Sequence, residues 1–110
     1  MLLAGCASLQ PFEPAASDLE GLPWIPYRLA GSPLDVADCV DKNIRTATST
    51  ILLTRRSEAG SAYQVIAHSA TQTKAVISVY PAAPGSIVFI RLSKQFPFKE
   101  KVANMVVEDC

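Results

Sequence analysis

The sequence predicts an α+β fold, a two-layer sandwich of two helices on one face of a four-stranded antiparallel sheet, in the order αββββα. Three observations carry this. A helix start at Ser32-Pro33 is followed by apolar residues three and four apart. Four segments rich in Val, Ile, Thr and Tyr come next, joined by connections too short for crossover helices. A second helix then opens at Pro97.

In the first helix, Ser32 offers a hydroxyl to the free N–H groups of the first turn. Pro33 fits that turn because the N–H it lacks would be unpaired there anyway, and Asp35 follows three residues after the cap. Val36, Cys39, Val40 and Ile44 fall on one face, so the helix is predicted over residues 33–46 with Cys39 turned to the core.

Strands are predicted at residues 48–55, 62–69, 74–80 and 86–92. The connections Glu58-Ala59-Gly60-Ser61, Ala70-Thr71-Gln72-Thr73 and Pro81-Ala82-Ala83-Pro84-Gly85 suit hairpins, and a meander is the simplest topology. Along the last strand Val88, Ile90 and Leu92 alternate with Ile87, Phe89 and Arg91. The first set is assigned to the core. The opposite face, with Ile87, Phe89, Tyr80 and Val76, is more apolar than a solvated sheet requires, so a partner or the Trp24-Ile25-Pro26-Tyr27 segment is expected to cover it.

From Pro97, the residues Phe98, Val102, Met105 and Val106 form an apolar stripe, with Glu100 near the positive end of the helix and Cys110 in its last turn.

The 110 residues suffice for one domain with a modest core, and 49% hydrophobic against 18% charged residues excludes a mainly disordered chain. Ten basic and ten acidic side chains cancel, and Arg55-Arg56 is the only adjacent basic pair. Neither nucleic-acid binding nor polybasic attachment to anionic lipid is expected from that balance. No apolar run is long enough to span a bilayer.

Leu3-Ala4-Gly5-Cys6 matches the lipobox of bacterial prolipoproteins, with small residues at the positions preceding the cysteine that accepts the lipid. Residues 1–5 are then the remnant of a signal peptide, residues 6–31 a lipid-anchored tether and strap, and residues 32–110 the α+β domain. Only five residues precede Cys6, fewer than a signal's apolar stretch, so the native start is expected upstream. Pro11, Pro14, Pro23 and Pro26 suit an extended tether. Ala7 stands where an inner-membrane retention signal would place aspartate, so the expected location is the periplasmic face of the outer membrane, with inner-membrane anchoring as the alternative.

Assigning Cys6 to lipid leaves Cys39 and Cys110 to pair in an oxidising compartment. Neither lies in a Cys-x-x-Cys motif or beside a Cys/His set, so a structural disulfide is predicted rather than a redox pair or a metal site.

His68 is the single histidine, and the surrounding spacings carry no Ser-His-Asp signature. Asp35, Asp38 and Asp41 recur every three residues, read as a solvated helix face rather than a calcium loop. Neither a phosphate-cradling Gly-x-x-x-x-Gly-Lys-Ser/Thr nor a Gly-x-Ser-x-Gly elbow occurs. The expectation is therefore a non-enzymatic protein with no cofactor, no metal and no nucleotide.

The lipobox, the proline-containing spacer, Cys39-Val40 in a first helix, Pro81-Ala82-Ala83-Pro84-Gly85-Ser86 between strands and a cysteine at the terminal helix together resemble small proteobacterial lipoproteins of no assigned activity. The resemblance implies the same address, disulfide and fold. The leading functional expectation is a structural or protein-interaction module that meets an envelope partner through Trp24, Tyr27, Tyr80, Ile87 and Phe89. The alternative is a periplasmic binding module for a small apolar or glycan ligand, held between sheet and strap. A hydrolase built around His68 is the weakest reading.

Overall fold

The computed structural model describes residues 12–110, and Cys6 with its lipobox lies outside the described residues. A short 3-10 helix, Ala16–Leu19, is followed by β1 (Ile25–Leu29), α1 (Pro33–Ala47), β2 (Leu52–Glu58), β3 (Ala62–His68), β4 (Thr73–Ala82), β5 (Gly85–Leu92) and α2 (Lys99–Val106). The class is α+β. The sheet has five strands in the order β1-β5-β4-β3-β2, each pair antiparallel, so β2 to β5 form the expected meander.

The four-strand expectation is corrected by β1, which lies within the segment assigned to the tether and pairs Ile25 with Ile90 through to Leu29 with Ser86. Ile25, Tyr27 and Leu29 are half-buried while Pro26 and Arg28 are exposed, the period-two pattern of a strand with one covered face. Pro26 obscures that pattern in the sequence. It is tolerated because β1 is an edge strand, where half of the N–H groups point away from the sheet.

The helix start is as expected: the Ser32 hydroxyl accepts from the Asp35 N–H at 3.3 Å, and Pro33 occupies the first turn. The next strand begins at Leu52 rather than at residue 48. After α1, the Thr48 hydroxyl accepts from the Thr50 N–H at 3.4 Å and meets its hydroxyl at 3.1 Å, a local arrangement that competes with pairing into a ladder. α2 begins two residues later than expected, because Phe98 takes a left-handed conformation (φ 55°) at the N-cap. Phe98 consequently leaves the predicted stripe and is 79% exposed. Cys110 lies beyond the end of α2 rather than in its last turn.

One core cluster unites Val36, Val40 and Ile44 of α1, Ala103 and Val106 of α2, and the row Val65, Ile77, Val79, Val88, Ile90 and Leu92 of the sheet. The predicted core set of β5 is thus buried. On the opposite face Leu19 covers Ile66 and Val76, with Ala16 and Leu22 packed alongside. That cover ends at the β3–β4 half of the sheet.

Cys39 and Cys110 form a disulfide, with 5.7 Å between Cα atoms and a sequence separation of 71. Asn43, one turn after Cys39, donates at 2.9 Å to the carbonyls of both Val106 and Glu108. These carbonyls lie where a helix end leaves acceptors without intrahelical partners, so Asn43 and the disulfide fasten the chain after α2 to α1 together.

The β4–β5 hairpin turns at Ala83-Pro84, and Gly85 then passes so close to β1 that an added Cβ would overlap the Leu29 carbonyl oxygen. Ser86, fully buried, donates at 2.7 Å to the Gly31 carbonyl and closes the same corner.

Candidate functional site

The face of the sheet opposite the main core cluster is covered by the 3-10 helix on one half and carries an aromatic row on the other. Phe89 of β5 is the centre. Trp24 meets it edge-on from just before β1, with ring centroids 6.3 Å apart and planes at 73°. Tyr80 of β4 meets it from the other side at 6.0 Å and 66°. Both geometries set a positive ring edge against a negative face, the favoured arrangement for aromatic pairs. Trp24 remains 38% exposed and Tyr80 46%.

Alternation explains the row. Phe89 and Arg91 point away from the helix-side residues Val88, Ile90 and Leu92, and Tyr80 follows the same rule one place after Val79. The Arg91 guanidinium lies 3.9 Å from the Trp24 ring centroid. Its buried Nε has no hydrogen-bond partner among the described residues.

Of the predicted contact residues, Trp24, Tyr80 and Phe89 come together around one depression of about 320 Å³. Ile87 adjoins Phe89 across a second, of about 270 Å³, lined also by Pro26, Tyr27 and Arg28. The Tyr27 hydroxyl is placed elsewhere, donating to the Asn104 side chain of α2 at 2.6 Å. Burial, and then the Glu100 carboxylate, raise the Tyr27 phenol above its ordinary pKa.

His68 is buried, with both ring nitrogens engaged. A carbonyl only accepts, so Nδ1 donates to Ser69 at 2.9 Å; in the neutral ring Nε2 then accepts from the Thr54 hydroxyl at 2.9 Å. Neither partner is a carboxylate. Of the acidic helix stripe, Asp38 pairs with Arg55 at 2.7 Å and Asp41 with Arg45. Among the described residues no three His, Cys, Asp or Glu side chains gather as a metal site would require.

Two further concavities lie elsewhere on the described residues. Between the N-terminal segment and the sheet end lies a cleft of about 620 Å³ with a mixed lining that includes Leu19 and Leu22 beside Asp18, Thr73 and Gln72. Thr73 donates to the Asp18 carboxylate at 2.6 Å across it.

The second is apolar, about 440 Å³, and lies between the end of α1, α2 and the sheet. It exists because Ala67 and Ala75 face each other across β3 and β4, where the neighbouring core pair is Val65 and Ile77. The pairing steps from Ala67–Ala75 to His68–Thr73, so Lys74 is an extra residue in β4, a bulge, and it lines the cavity. No motif marked this cavity in the sequence. Its available signal was two alanines in otherwise β-branched strands.

The chain matches no protein-family model, and comparisons with curated proteins and with solved structures likewise return no match.

Proposed function

We propose that the chain is a non-enzymatic lipoprotein of the bacterial envelope that docks a protein partner on the aromatic half of its outer sheet face. The carrying observation is the contiguous row Trp24–Phe89–Tyr80, with both outer members substantially open to solvent. Large aromatics with an arginine rim are the composition of energetic centres in protein interfaces, because they bury much area at a small entropy cost. Arg28 and Arg91 supply that rim.

In this reading Cys6 carries the lipid that holds the protein to the membrane, on the periplasmic face of the outer membrane, or of the inner membrane in the alternative sorting. Residues 6–24 then link the lipid to the sheet, whose first strand begins at Ile25. The two helices form one layer over the inner sheet face, a layout supported by their shared core cluster, and so leave the outer face to the partner. Nucleic acid, nucleotide and cofactor have no role.

The test is Phe89→Asp in the lipidated protein with Cys39–Cys110 intact. Recovery of the cross-linked envelope partner is expected to fall about tenfold or more, since a charge placed at an interface centre costs more than the 1.4 kcal/mol of one decade. Recovery and oligomeric state both equal to wild type would count against this face.

A ligand-binding role has one specific observation in its favour, the apolar cavity beside Lys74, which is lined by α1, α2 and the sheet and not by the strap of the alternative reading. It occupies the helix side of the sheet, so the two roles are physically separable.

A further inference from the structure

We propose that the helix-side cavity is a binding site for the hydrocarbon chain of a medium-chain carboxylate, whose head group pairs with Lys74. The cavity's volume of about 440 Å³ falls within the usual range for small-molecule sites. Its floor is hydrocarbon, with Ala67, Ala75 and Leu92 from the sheet, while Val102 and Met105 of α2 form a wall. Such a lining offers an acyl chain burial without leaving polar groups unpaired.

The mouth differs from the floor. Lys74 Nζ donates to the Gln72 side-chain oxygen at 2.9 Å and to that of Gln95 at 2.7 Å. Both acceptors are neutral amides, and among the described residues no carboxylate lies within ion-pair distance of Lys74. An ammonium has three donors, so one is left for an anion, and the charge itself is uncompensated. Lys74 and its acceptor Gln95 both line the apolar space, which puts that charge at its rim, while Gln72 belongs to the neighbouring polar cleft. A single lysine without an arginine fork matches a compact monoanion better than a phosphate dianion.

Charge at the rim and hydrocarbon within therefore specify an amphiphile with one carboxylate. Neutral amphiphiles share the chain but lack the head group. That difference separates recognition by Lys74 from simple hydrophobic filling.

Calorimetric titration of the disulfide-intact protein with decanoate and with decan-1-ol, both below their micellar or solubility limits, tests the proposal. Wild type is expected to bind one decanoate per chain, about tenfold or more tighter than the alcohol, as a charge-assisted hydrogen bond implies. Lys74→Gln should remove that tenfold preference and leave decan-1-ol affinity unchanged. Ala47→Phe, at the exposed end of α1 on the cavity rim, should weaken both ligands. Absence of decanoate binding, equal wild-type affinities for acid and alcohol, or equal losses for both ligands in Lys74→Gln would each overturn it. The wild-type comparison needs no variant to fold, and a failure here leaves the outer-face reading untouched.

Discussion

Arg91 lays its guanidinium over the indole of Trp24, 3.9 Å from the ring centroid, and so fastens the residue just before β1 to the outer face of β5. The same indole meets Phe89 edge-on. A cation–π contact contributes about 0.5–2 kcal/mol and an aromatic pair about 0.5–1.5 kcal/mol. Trp24→Ala is therefore expected to lower the unfolding free energy by about 1–3 kcal/mol in urea titration. A change near zero would mean that the indole is not held by these neighbours.

Gly85 is required by the approach of β1. A methyl group there would overlap the Leu29 carbonyl oxygen, which is backbone and cannot swing aside. Gly85→Ala is expected to destabilise by about 1–3 kcal/mol or more, the usual cost of overpacking. Hydrogen exchange should quicken first at amides of Ile25–Leu29, with β3 and β4 still protected.

The disulfide closes a 71-residue separation. Chain entropy assigns it about 4 kcal/mol, with native-state strain and residual unfolded structure able to reduce the measured value. Replacing Cys39 and Cys110 together by serine should lower stability by about 2–4 kcal/mol in denaturant unfolding. Because the Asn43 bonds remain, α2 should keep its helical signal at low denaturant.

Tyr27 predicts the alkaline behaviour. Its phenol is raised above the ordinary value of 10.0 by burial and by Glu100, so the native state holds this proton more tightly than the unfolded chain does. Its contribution to stability is complete below pH 10 and declines as pH climbs through the raised native value. Tyr27→Phe also loses the bond to Asn104, but it should flatten the stability profile above pH 10 relative to wild type. Parallel wild-type and variant slopes in that range would contradict the assignment.

Much of this architecture is legible in the sequence. Ser32-Pro33 marks a helix start by the missing N–H, and alternation in Ile87 to Leu92 separates core from outer face. β1 is harder to read because Pro26 interrupts its alternation, and only edge position makes that residue compatible with a strand. The aromatic row needed pairing as well as pattern: Trp24 and Phe89 are 65 positions apart, and the β1–β5 register brings them side by side. Tyr27, next in the same segment after Pro26, donates instead to α2 because residues of the same strand alternate between faces. The apolar cavity depends on a bulge and on two facing alanines, neither of which periodicity reveals.

In the proposed function, the Trp24–Phe89–Tyr80 face meets a partner in the envelope. A photo-crosslinking amino acid placed at Tyr80, and separately at Arg45 on the far side of the molecule, measures this directly in intact cells producing the lipidated protein. One discrete adduct from position 80, absent from position 45 and abolished by Phe89→Asp, is the predicted result. No adduct at position 80, or the same adduct from both positions, would contradict the claim.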